Sequence, residues 1–212
     1  MKTIKKLFYS GFFSIILLTA ISLFIAIKNY IPGTWLTGWD NLHPEFDLLL
    51  NIKRSISASW QEYQGLGLLG GMAHAADLPR QLVLLILSIA FKSSDLRYIW
   101  TFLMLTLGPI GTNLFIRNTF NKHKIASEFA GFAAGIFYLL NLATVQTFYT
   151  PFEAFVSFYG FFPWLIYSFN KYLHSGKRKN IILFSLISVL ATPAFYVQTL
   201  FVVYLIVLLI FS

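Results

Sequence analysis

The chain of 212 residues has no cysteine, which excludes disulfides, thiolate metal sites and cysteine nucleophiles. It is also short of charge. Asp, Glu, Lys and Arg make up 11% of it, against roughly 25% in an ordinary soluble domain. Acids are the scarcer sign, eight against sixteen Lys and Arg. No alternation of apolar and polar residues recurs, so no sheet is expected, and no internal repeat stands out. What remains is 57% hydrophobic, with 23 Phe. Such a composition fits a protein solvated by lipid rather than water.

Residues 7–27, LFYSGFFSIILLTAISLFIAI, carry no charge. At about 1.5 Å per residue they reach roughly 30 Å, the thickness of a bilayer core. The run is too long for a cleaved signal peptide, and no small-x-small site follows it. A retained first span over residues 7–29 is therefore expected. Residues 99–116, 125–147 and 152–173 read as further spans, and residues 181–211 as two helices broken at Pro193. Residues 78–91 are apolar, but at about 21 Å they are short for a span. They read as an interfacial or re-entrant helix starting at Pro79, with Asp77 as its N-cap.

That reading gathers Lys2, Lys5, Lys6, Arg117, Lys122, Lys124, Lys171, Lys177, Arg178 and Lys179, ten of the sixteen basic residues, on one side. The positive-inside bias makes that side cytoplasmic. Seven of the eight acids fall on the other side, all but Glu128. The net charge of +8 is thus an orientation signal. The bilayer is the expected partner and nucleic acid is not. The chain ends at Ser212 inside an apolar run without a basic tail, which reads as part of a longer polypeptide.

Residues 30–94 form a long outer loop, with further spans over 95–212. The stretch GWDNLHPEFD within it concentrates Asp40, His43, Glu45 and Asp47. Asp40, His43 and Asp47 make a D-x-x-H-x-x-x-D pattern, compatible with a divalent cation (Mg, Mn or Ca) held by Asp40 and Asp47. The plainer reading is a set of interfacial acids beside the anchoring Trp35 and Trp39. Residues 44–59 place Phe46, Leu49, Leu50 and Ile56 near one face and Lys53 and Arg54 on another, as in a helix lying on a membrane. Lys53, Arg54 and Arg80 are candidate phosphate ligands with His43 beside them, or contacts to lipid headgroups. His74 reads as a loop histidine, and Gly65, Gly67, Gly70 and Gly71 as loop freedom rather than a dinucleotide motif. Glu153 starts a helix, as a charge favourable to its N-terminus or as a second acid.

The run GWDN, the passage from YQGLGLLGG to PRQLVLLILSIAF, and LNLATVQTFYTPFEAFVSFYGFFPWLIY resemble the membrane domain of the mycobacterial-type arabinofuranosyltransferases. These belong to the GT-C glycosyltransferases. The resemblance implies an all-α polytopic membrane fold of about five to six spans, with interfacial helices in its extracytoplasmic first loop. It implies a polyprenyl-phosphate sugar donor, a glycan, lipid or protein acceptor, and a place in the plasma membrane with the N-terminus in the cytoplasm. Asp40 matches the family's first-loop base, with Asp47 in reserve. Two readings of other classes compete: a non-catalytic scaffold of the same fold, and a transporter or flippase-like protein for a lipid-linked substrate, which would put ionisable groups at mid-membrane on broken helices.

Overall fold

The computed structural model describes residues 12–38, 43–57, 60–61, 68–69, 72–120 and 124–212. Helix α1 is Phe12–Asn29. A turn of 3-10 helix, Pro44–Phe46, leads into α2, Leu48–Ile56. Two short strands, β1 (Trp60–Gln61) and β2 (Leu68–Leu69), pair antiparallel with Trp60 opposite Leu69. Helices α3 (Met72–Leu87), α4 (Ser93–Thr119) and α5 (Lys124–Leu140) follow. The chain continues through α6 (Leu142–Tyr149), α7 (Glu153–Ser175), α8 (Arg178–Leu190), α9 (Thr192–Phe195) and α10 (Gln198–Phe211). Apart from the two-residue ladder, the described elements are helical, as the lack of strand periodicity implies.

Among the described residues, α1 and α4 are long and apolar enough to cross a membrane, and α5 with α6 makes a third candidate if the pair is one span. The expectation of about five to six spans is met only this far. Helix α7 has 23 residues but buries Glu153, Ser157, Ser168 and Asn170. Helix α10 has 14 residues, about 21 Å, short of a bilayer core.

The core lies between α4 and α7. Leu96, Trp100 and Met104 of α4 meet Val156, Phe161 and Leu165 of α7, closed by Leu84, Ile187 and Tyr204. Small residues allow this closeness: a Cβ on Gly160 would collide with Met104, and one on Gly111 would sit 2.7 Å from the Trp164 ring. Helix α1 docks through Ser14, Leu18 and Ser22, four residues apart. The Asn113 amide donates to Ser14 Oγ at 3.3 Å. Small and polar residues at helix contacts are how helices associate where apolar burial gives no advantage over lipid.

Sequence expectations are corrected here at two places in the chain. Residues 125–147 do not form one straight helix: the chain bends by 43° between α5 and α6. Asn141 caps α6 by accepting from Thr144 N at 3.0 Å, and its amide donates to the carbonyls of Phe137 and Tyr138. The Tyr138 carbonyl also accepts from the Tyr159 hydroxyl at 3.1 Å. The break is stable because the freed backbone groups find partners. Likewise α3 begins at Met72 rather than Pro79, so Asp77 is inside the helix rather than its N-cap, and His74 is in a helix rather than a loop. The early start follows from MAHAA, rich in the strongest helix former. Asp77 then meets Arg80 one turn on.

The break expected at Pro193 is present, with α9 between α8 and α10. Helices α4 and α7 both start at the end of the bundle where α1 finishes: the Tyr30 hydroxyl donates to Asp95 Oδ1 at 3.0 Å, and Thr34 Oγ1 lies 2.9 Å from Tyr98 Oη. Their opposite ends carry Arg117, paired with Glu128, and the exposed Lys177, Arg178 and Lys179.

Candidate functional site

Where α4 and α7 begin, five ionisable side chains from four parts of the chain meet out of solvent. They are Glu45 of the 3-10 turn, Asp77 and Arg80 of α3, Arg97 of α4 and Glu153 of α7, none more than 5% exposed. Arg80 grips Asp77 with two parallel bonds, Nε to Oδ1 at 2.6 Å and Nη2 to Oδ2 at 2.8 Å. This bidentate geometry is the strongest form of the pair. Arg80 also lies 3.6 Å from Glu45 Oε1 and 3.5 Å from Glu153 Oε1. Arg97 Nε donates to Glu45 Oε1 at 3.2 Å, and its Nη2 to Glu153 Oε1 at 3.4 Å.

The rim completes the cluster. Gln81 donates to Asp77 Oδ2 at 3.2 Å and accepts from Ser55 Oγ at 3.1 Å, which ties α2 to α3. His43 Nδ1 is 3.9 Å from Glu45. Burial, aided by Arg97 and Arg80 and opposed by Glu45, holds the imidazole below its ordinary value. At neutral pH that contact is therefore not an ion pair. Among the described residues, three carboxyl groups face two guanidiniums. Glu153 Oε2 is buried with no hydrogen-bond partner among the described residues.

The cluster fastens the 3-10 turn and, through Ser55 and Gln81, α2 to the bundle. Helix α2 turns Ser55 inward and Leu49 and Ile56 outward, 70 and 71% exposed, and Phe46 of the preceding turn is 65% exposed. This inverts a water-soluble amphipathic helix, and it matches the apolar face expected from periodicity. The exposed apolar patch also includes Leu50, a surface of the kind that a partner or a membrane covers.

The structure sorts the residues singled out from the sequence. Asp40 lies outside the described residues. Asp47, expected as a reserve base or cation ligand, caps α2 by accepting from Leu50 N at 2.9 Å. Among the described residues no group of His, Cys, Asp or Glu forms a metal site. Lys53 is exposed on α2 and Arg54 is half-buried. Arg80, expected to face a phosphate, is instead enclosed by Asp77, Glu45 and Glu153, so its charge is already engaged. Glu153 starts α7 as expected, but as a partner of both arginines.

Sequence reading missed Glu45 and Arg97 as partners. Each looks like an isolated charge at a membrane boundary, and only the i, i+3 spacing of Asp77 and Arg80 gave a local sign of pairing. No protein-family model, curated protein or solved structure matches the chain.

Proposed function

We propose that this chain is a membrane module of a glycosyltransferase that takes a sugar from a polyprenyl-phosphate donor at the outer face of the plasma membrane. The observation that supports this reading is the docking of the Pro44–Phe46 turn and α2 onto the bundle through Glu45, Arg97 and Arg80. It gives the segment that follows GWDN a fixed seat, and a catalytic base needs a rigid support. The outward apolar face of α2 holds the same seat against lipid, where such a donor resides.

In this reading the acceptor hydroxyl attacks the anomeric carbon and passes its proton to the Asp40 carboxylate. The bond from that carbon to the phosphate oxygen breaks, and the lipid phosphate leaves with the electron pair. Lys53 and Arg54, on the loop helix, stabilise the charge that develops on it. Asp47 keeps α2 in place and takes no part in proton transfer.

Asp40→Asn in the full-length protein tests the reading. With membranes holding the protein and a panel of labelled polyprenyl-phosphate sugars, sugar transfer should fall by at least about a hundredfold, the low end for a general base. Donor retention should stay unchanged. Transfer at the wild-type rate would overturn the assignment of Asp40, and absence of transfer from every donor by the wild-type protein would favour the scaffold reading.

A further inference from the structure

A groove of about 520 Å³ runs between α1 and α4, the two helices that are individually long and apolar enough to cross a membrane. Its α4 wall is a single stripe: Asp95, Tyr98, Phe102 and Thr106 recur every three or four residues. The eleven helical steps from Asp95 to Thr106 measure about 16 Å, close to half of a roughly 30 Å bilayer core. The groove is therefore one leaflet deep.

Its two ends differ. The deep part is lined by Leu23, Phe102 and Leu103. The mouth, at the end of the bundle that holds the ion cluster, carries Tyr30 and Asp95. Asp95 Oδ1 accepts from the Tyr30 hydroxyl at 3.0 Å and from Ser94 Oγ at 3.4 Å. Its Oδ2 has no partner among the described residues. Lys92 stands exposed three positions earlier, at the N-cap of α4. A negative and a positive group thus sit together at the top of an apolar slot.

We infer that this groove binds one acyl chain of an outer-leaflet phospholipid with a primary-ammonium headgroup, of the phosphatidylethanolamine type. The chain fills the slot along α4. The ammonium donates to the open oxygen of Asp95, and the phosphate lies toward Lys92 and the start of α4. A primary ammonium offers three N–H donors, whereas a trimethylammonium offers none, so the site discriminates by hydrogen bonding as well as charge. The inference depends on the chain residing in a membrane and not on sugar transfer.

The test is native mass spectrometry of the full chain released from nanodiscs holding equal phosphatidylethanolamine, phosphatidylcholine and phosphatidylglycerol. One phosphatidylethanolamine should be retained about tenfold or more over either other lipid, the scale of a charge-assisted hydrogen bond. Asp95→Asn should bring the ratio near one while lipid of any headgroup is still retained. Ala26→Trp, or Thr106→Phe at the far end should the first fail to fold, should remove the retained lipid whatever its headgroup. Equal retention of the three lipids by the wild type, or a preference that survives Asp95→Asn, would overturn the inference. A protein with no sugar transfer that still prefers phosphatidylethanolamine would defeat the glycosyltransferase reading alone.

Discussion

At the scale of single residues the five-charge cluster behaves asymmetrically. Arg80 is the counter-charge to Asp77, Glu45 and Glu153 together. Arg80→Met leaves those carboxylates buried with one guanidinium between them, and such a loss should cost about 3–5 kcal/mol. Glu153→Gln instead brings three acids and two bases to two and two. It keeps the acceptor atom that both arginines use and replaces the oxygen that has no partner among the described residues. Its effect should stay within about 1 kcal/mol, the size of one ordinary hydrogen bond. Unfolding both variants in mixed micelles separates the cases, and an equal loss in both would mean that total charge does not set the cluster's stability. Little of this was legible in the sequence. Arg97 follows Glu45 by 52 residues and precedes Glu153 by 56, and no local pattern encodes pairing at that range. Asp77 misled for a different reason: an acid just before Leu-Pro looks like a cap unless the helix has already begun.

At the scale of elements the apolar stretches were legible because preference for lipid is a property of each residue in turn. Helix α4 appears where residues 99–116 placed it, extended at both ends, and α2 shows the face that its periodicity gives. The bend at Asn141 was missed although its signal was present: Asn141 and Thr144 have the spacing of an N-cap bond, hidden within an apolar run. The contact between α4 and α7 rests on Gly160, where a Cβ would lie 3.0 Å from the Met104 Cα. Backbone cannot rotate away as a side-chain tip can. Gly160→Val should therefore push the helices apart and cost about 1–3 kcal/mol, as overpacking does. Chemical unfolding in detergent measures this, and a neutral result would show that the two helices separate freely.

At the scale of the whole molecule the bundle is bipolar, with the ion cluster at one end and an exposed basic connection at the other. If the bundle sits in a membrane, the positive-inside bias predicts that the basic end faces the cytoplasm. The absence of native cysteine makes single-cysteine labelling clean. In intact cells an impermeant maleimide should modify Ser57→Cys, on the α2 side, but reach Lys177→Cys only after permeabilisation. Reversed labelling would invert the orientation, and equal labelling in intact cells would remove the membrane reading. The sequence made this polarity visible because charge at span ends is local information. How the outer loop attaches to the bundle was invisible, since it depends on chain segments meeting after they fold.

The same cluster also imposes an order in time. Glu153 is made 56 residues after Arg97, and at roughly 5–20 residues per second of synthesis that interval is about 3–11 s. Among the described residues, Glu45 and Asp77 are the acids of the cluster already made in those seconds. The contacts of both arginines with Glu153 form when α7 emerges. A nascent chain stalled between α4 and α7 thus carries an ionic centre that lacks Glu153, the acid both arginines share.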